Sequence, residues 1–437
     1  MSSYCPELMT RYNAWKQAVG DLRTAYDYLF KTGKDYTVKE IEELLETALS
    51  AREEYLNYSQ EIVEFEWKGE IHKISRIEAE AVEKITESVE GVEFDFYSGH
   101  INSIRFSDEG PTTELIQAVK MCYVFKECNL YFRNLKSANG IKFPKSIKGD
   151  IYLDSLISAE GLKLPQSVEG LSLSSLTSTE GLELPQSIEA LELNGLTSAK
   201  GYKFPPSVKH LNLSGLTSTE GLEVPQSIKS LGLGGLSSVK GYVFPQSIEY
   251  LLLNGLTSTE GLELPQSIES LDLNGLSSAK DYKFPQSIKF LELNGLTSTE
   301  GLELPQSIER LYLNGLTYAK DFKFPQSIET LELDGLTYAE NLELPLSIDR
   351  LCLNSLTSAK GFKFPQSVKF LHLEGLTSTE GLELPQFVEF LYLNSITSAE
   401  NLKLPQSIRV IHLDDLTPEE RNDLRKKHPG IRIEPDP

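Results

Sequence analysis

A twenty-residue period governs most of this chain and leaves it few ways to fold. Residues 261–280 read GLELPQSIESLDLNGLSSAK and residues 281–300 read DYKFPQSIKFLELNGLTSTE, with the same apolar places in both. Pro265 and Pro285, Ile268 and Ile288, Leu271 and Leu291, Leu273 and Leu293, and Leu276 and Leu296 are equivalent. A unit this short cannot bury its own apolar face, so each must stack on its neighbours as the rung of a solenoid. Prolines at 144, 165, 185, 205, 225, 245, 265, 285, 305, 325, 345, 365, 385 and 405 mark the rungs. The interval from Pro144 to Pro165 holds one extra residue, within IKGDIYL, where Gly149 and Asp150 suit a bulge.

Each rung carries two stretches that alternate in polarity. In the first, Leu262 and Leu264 point inward and Glu263 outward; in the second, Leu271 and Leu273 point inward and Asp272 outward. The pattern predicts two short strands per rung, and hence two parallel sheets formed between rungs, with Ile268 and Leu276 filling the ends. Pro265 supplies one corner. Asn274-Gly275 supplies the other, with the glycine free to take a positive φ.

A second pattern lies over the first. Lys283 falls between Glu263 and Glu303, and a further column runs Glu220, Lys240, Glu260, Lys280, Glu300, Lys320. Opposite charges across neighbouring strands favour one register. The core alternates too, from Leu262 and Leu264 to Tyr282 and Phe284 and back to Leu302 and Leu304. The unit of construction is therefore forty residues.

The Ile-x-x-Leu-x-Leu core of Ile268, Leu271 and Leu273, followed by Leu276 and a Leu-x-Leu-Pro segment, resembles the leucine-rich repeat, in the short, proline-marked form found in bacterial proteins. The resemblance spans the rungs and implies a binding scaffold, usually for protein, and sometimes an effector with an added activity. The place where that family sets an inward asparagine is taken by Leu276 and Leu296, while Asn274 and Asn294 stand two residues earlier. An asparagine ladder of the family's usual kind is not expected.

The flanks differ from the array. Residues 7–32 place Tyr12, Trp15, Val19, Leu22, Tyr26 and Leu29 on one helical face, and a second helix is predicted from Thr37, with Glu40 completing a capping box. Joined by KTGKDY, the two helices should form a hairpin. Alternation on both sides of Lys68-Gly69 predicts a two-stranded hairpin. A helix over 78–88, strands over 92–96 and 101–106, and a helix from Pro111 to about Phe125 follow, with INSIRF as a degenerate first rung. At the far end Thr417-Pro418 opens a capping helix, and IRIE adds a last strand. The expected organisation is an α-helical and α/β N-terminal cap region over 1–129, a leucine-rich-repeat-like parallel β-solenoid over 130–416, and a short helix/strand cap over 417–437.

A formal charge of -22 argues against nucleic acid and anionic membranes, which call for a basic stripe. It favours solubility and a monomer, with self-association through the N-terminal helices as the alternative. The first residues lack the apolar run of a signal peptide, and no run of eighteen apolar residues occurs, which points to the cytoplasm and leaves non-classical export open. Cys5, Cys122, Cys128 and Cys352 have no framework or zinc spacing. No cofactor or metal is expected: Gly232–Gly235 imitates a phosphate loop but sits in register and opens no helix, and the histidines follow no ligand spacing.

Where the frame is constant, the positions that vary carry the information. Two outward columns flank each core leucine, and both gather aromatic residues and arginines in the C-terminal half, the types that dominate interface hot spots. The candidate strip for a protein partner is Tyr250, Phe290, Arg310, Tyr312, Arg350, Phe370, His372, Phe390 and Tyr392. Against it stands neutral variation of surface positions. Cys352 and His372 fall on adjacent rungs, but no third residue completes a nucleophilic site. The repeated Thr-Ser-Thr triplets, such as Thr257–Thr259, suit a hydrogen-bonded corner better than an ice-binding surface. A non-enzymatic protein-binding module is the leading expectation. An effector or signalling protein with an activity or docking function in its N-terminal region is one alternative, and a structural, adhesive or ice-binding solenoid the other.

Overall fold

The structure is a computed structural model that describes residues 14, 16–19, 38–98, 100–125, 127–145, 147, 149–339, 342–400 and 402–435. The predicted helix over 7–32, the Thr37 cap and the KTGKDY link lie wholly or largely outside the described residues. The chain divides into two compact units, Met1–Leu193 and Asn194–Pro437.

In the first unit a helix spans Val38–Gln60. The strands Ile62–Trp67 and Glu70–Ser75 pair antiparallel, turning at Lys68 and Gly69, which both take positive φ (50° and 86°) as a tight hairpin turn requires. One side of this hairpin packs on aromatic rings of the strand Glu93–Tyr97. Trp67 meets Phe94 edge-on at 5.2 Å and His72 stacks on Phe96 at 3.9 Å. The helix Arg76–Ser88 starts at Ser75, whose hydroxyl and N–H both donate to the buried carboxylate of Glu78. That pairs the N-cap N–H with the side chain three residues on.

The strand Glu93–Tyr97 runs antiparallel to His100–Phe106, and His100–Phe106 pairs parallel with Asn129–Phe132. INSIRF is thus the start of the parallel ladder, and Glu93–Tyr97 covers its edge, which would otherwise expose unpaired backbone groups. Between them in sequence, Thr112 caps the helix Thr113–Met121 by accepting from the Leu115 N–H at 3.1 Å. The ladder continues through Ile151–Tyr152, Gly170–Ser172 and Ala190–Glu192. The extra residue before Pro165 is absorbed by a pairing of Leu130 with Ile151, twenty-one residues apart.

The second unit repeats one strand every twenty residues, from His210–Asn212 through Phe290–Glu292 to Val410–His412, each parallel to the next and in direct register. Arg432–Glu434 adds a final parallel strand after the helix Pro418–Lys427, where Thr417 and Glu420 form a capping box. Inside, Ile268, Leu271, Leu273 and Leu276 are fully or almost fully buried, and so are their equivalents along the stack. The aromatic rungs fill the opposite wall, Tyr282 meeting Phe284 edge-on at 5.0 Å.

Three expectations are corrected. Each rung has one strand, not two: the stretch at Leu262–Leu264 and its equivalents form no ladder among the described residues beyond a single bridge between Lys283 and Glu303. Only three residues separate the turn at Gly261 from Pro265, which has no N–H to donate, so a run of bonds cannot develop. The positive φ belongs to Gly261 (70°), not to Gly275. Gly275 is small for a different reason: a Cβ there would lie 2.5 Å from the Asn254 carbonyl oxygen of the preceding rung. Finally, Lys283 makes no ion pair with Glu263 or Glu303. The other column does pair, with Lys200–Glu220, Lys240–Glu260 and Lys280–Glu300 each at 2.5 Å and Lys360–Glu380 at 2.7 Å. In each of these pairs the lysine reaches towards the C-terminal rung.

Candidate partner-binding strip

A three-residue strand has one inward and two outward side chains. Leu251, Leu291, Leu311, Leu351, Leu371 and Leu391 take the inward place and are inaccessible to solvent. Direct register then stacks the outward residues in two columns. Tyr250, Phe290, Arg310, Arg350, Phe370 and Phe390 fall in the first, and Tyr312, His372 and Tyr392 in the second. Tyr250 and Arg310 are exposed; the other seven are half-buried, because each is flanked by its neighbours along the column.

The nine residues form two groups, separated by the rung of Thr330 and Glu332. In the first, Phe290 meets Tyr312 edge-on at 5.1 Å, and Tyr250, Phe290 and Arg310 line a shallow depression of about 210 Å³ with Glu269, Ser270, Lys289 and Glu309. In the second, the Arg350 guanidinium lies 4.5 Å from the Phe370 ring centre, and Phe370 stacks on Phe390 at 4.7 Å. Beside them His372, Tyr392 and His412 stack in nearly parallel planes at 4.0 and 4.4 Å.

Arg350 Nη1 is 3.2 Å from His372 Nε2, and a guanidinium can only donate, so Nε2 accepts and the ring proton sits on Nδ1, facing Glu374 at 3.7 Å. Burial holds the His372 pKa below its ordinary value, and the adjacent Arg350 charge lowers it further. The Tyr312 hydroxyl is pushed up by burial and by Glu332 and Glu292. Cys352 pairs with His372 across the ladder, but burial, with Asp334 and Glu332 nearby, pushes its thiol up to about 12. A thiol so raised is a poor nucleophile at neutral pH.

Two features of this face were not anticipated. The first is a ladder of polar side chains along its border. The Asn274 side-chain oxygen accepts from the Asn294 N–H at 2.9 Å, Asn294 from Asn314 at 3.0 Å, Asn314 from Asp334 at 2.9 Å, Asp334 from Asn354 at 3.1 Å and Asn354 from Glu374 at 3.2 Å. It stands at the outer position rather than the family's inward one, since leucine fills the interior. The asparagine recurring every twenty residues was its signal. The second is a column of charges just before each strand, with Lys229–Glu249 at 2.5 Å, Lys289–Glu269 at 3.1 Å, Lys369–Asp349 at 2.6 Å and Arg409–Glu389 at 3.2 Å. Its signs do not alternate simply along the chain, which hid the pairing.

No protein-family model matches the chain, and no curated protein matches it. Among solved structures it is similar to YopM, a leucine-rich effector protein from Yersinia pestis, at 19% identity and a TM-score of 0.44, over 69% of this chain and 92% of that one. It is also similar to YopM from Yersinia enterocolitica WA-314, at 20% identity and a TM-score of 0.44, over 68% of this chain and 70% of that one. The chain's own ladder and twenty-residue register define its class. It is a parallel β-solenoid built of twenty-residue rungs. Among the described residues no helix is long and apolar enough to cross a membrane.

Proposed function

We propose that the chain is a non-enzymatic scaffold that binds a protein partner through the outward columns of its ladder. The carrying observation is that all nine strip residues share one sheet face in two registered columns. Tyrosine, phenylalanine and arginine concentrate binding energy when a partner desolvates them, and rings already held by stacking lose little freedom on binding. Catalysis finds no support at Cys352 and His372, where the thiol is buried and Arg350 occupies the imidazole nitrogen. In this reading residues 1–129 and 417–437 close the ends of the ladder.

The test is capture from source-cell lysate by the intact chain and by a Tyr250→Ala, Arg310→Ala variant. Both residues are exposed, so the melting temperature should hold while the partner is lost. Undiminished capture of the same partner would sink the proposal. Phe370 and Phe390 are less suitable, because they support each other as well as facing outward.

A further inference from the structure

Arg310 and Arg350 stand apart from the other cations of this face. Lys229, Lys289, Lys369 and Arg409, in the neighbouring column, each have a carboxylate partner. Among the described residues neither Arg310 nor Arg350 has a carboxylate within 4.0 Å, although the chain carries a net charge of -22. Arg350 is held over Phe370 and against His372, which fixes its position and leaves guanidinium donors free.

We propose that the strip takes an amphipathic α-helix of the partner, laid along the ladder at about one helical turn per rung, with carboxylates seven residues apart seated on Arg310 and Arg350. The proposal rests on the reading above and gives its partner a chemistry. Arg310 and Arg350 are two rungs apart in one column, about 9.6 Å at roughly 4.8 Å per rung. Seven residues of α-helix rise about 10.5 Å and return to the same face. An extended chain laid the same way returns to one face about every 6.7 Å, which falls short of the span at one repeat and beyond it at two.

Backbone chemistry points the same way. Inside the ladder the N–H and C=O groups bond to the rungs on either side, as Ser270 N–H to Glu249 and Leu273 N–H to Glu292 illustrate. An extended peptide on this face would find no backbone partners, whereas a helix satisfies its own. Phe290 lies one rung before Arg310, and Phe370 and Phe390 lie one and two rungs after Arg350. The matching helix is therefore apolar at both ends of the contact and acidic between them. Glu309 and Glu329 border it, so residues beside the acidic pair should be basic. Glu292 and Glu332 are turned aside, accepting from the Asn274 and Asn314 side-chain amides at 2.7 and 3.2 Å.

Synthetic fluorescein-labelled helical peptides test this by anisotropy against the full chain. One carries glutamates seven residues apart between leucines. An isomer of identical composition has them five apart, on different faces, and a third peptide replaces both by lysine. The seven-spaced glutamate peptide should bind about tenfold or more tightly than its isomer, and added salt should weaken it. Arg310→Glu with Arg350→Glu should reverse the preference towards the lysine peptide. Arg310→Ala, at an exposed position, gives a weaker loss should the double variant fold poorly. Equal binding of the two glutamate isomers, no binding of either, or full retention by Arg310→Ala would overturn the proposal. If the peptides fail while lysate capture still depends on Tyr250 and Arg310, the helix is wrong and the strip stands.

Discussion

The corner at Thr297–Glu300 and the strand Phe290–Glu292 belong to adjoining parts of one turn and treat their polar side chains in opposite ways. At the corner the hydroxyl of Ser298 accepts from the Glu300 N–H two residues on, at 3.1 Å. The same bond recurs at Ser158, Ser178, Ser198, Ser218, Ser238, Ser258, Ser278, Ser358, Ser378 and Ser398. At the proline corner Ser287 donates to the Ile268 carbonyl of the rung before it, at 2.6 Å, and its equivalents do likewise. Those hydroxyls hold the frame. On the strand the ladder is made by the main chain alone, and outward side chains reach the backbone at single rungs rather than at every one, as where Asp272 accepts from the Asn274 N–H at 2.9 Å. The difference explains why the corners repeat and the strand columns vary.

Breaking the frame should cost most. Leu293 is wholly buried, and Leu293→Ala should lower stability by about 2–5 kcal/mol in chemical denaturation, since the cavity adds to the lost transfer energy. An effect below about 1 kcal/mol would mean that the rungs close up locally. Next come the corners. Ser287→Ala should cost about 0.5–1.5 kcal/mol by leaving the Ile268 carbonyl without its side-chain donor. Tyr318 and Tyr338 replace the corner serine in two successive rungs and are 55% and 71% exposed. Tyr318→Ser should restore the turn bond and raise the melting temperature, and a fall would show that the phenol packs usefully.

The strand columns should respond in titration more than in stability. Arg350→Gln should raise the His372 pKa towards its ordinary value, as read from imidazole NMR shifts. Burial and Arg350 make His372 harder to protonate in the folded state than in the unfolded, so the unfolded chain binds more protons as pH falls below about 6.5. Stability should therefore fall as pH drops from that point towards the folded pKa, and Arg350→Gln should shrink the loss. An unshifted pKa would mean that burial alone sets it. Smallest of all is Glu300→Gln. Its pairing with Lys280 is exposed, lowering the Glu300 pKa and raising that of Lys280, and solvent and salt screen such pairs. The melting temperature should not change measurably.

Much of the fold could be read from residue spacing because a solenoid makes sequence period and spatial neighbour the same thing. Once Leu271 and Leu291 are twenty apart in equal settings, their pairing follows, and so does the stacking of Phe370 on Phe390. Local signals served equally well where the physics is local: the turn at Lys68-Gly69, the cap at Thr417, the edge-ready strand at His100–Phe106. The two-strand rung failed because alternation at Leu262–Leu264 reports which way side chains face, not whether the backbone finds a partner. Gly275 misled for a similar reason, since nearness of the Asn254 carbonyl in the preceding rung is invisible to a turn rule.

The sequence by itself determined the class of fold, the register of its rungs, the buried leucines and the two outward columns of the ladder. Each of these follows from periodicity acting on apolar burial. Only the tertiary structure decided which polar groups are already occupied. Lys280 has its carboxylate and Arg310 has none among the described residues, Asn274 is bound to the rung after it, and His372 is held by Arg350. Charge and hydrogen bonding depend on side-chain reach over a few ångströms in three dimensions, and a one-dimensional pattern does not carry that information.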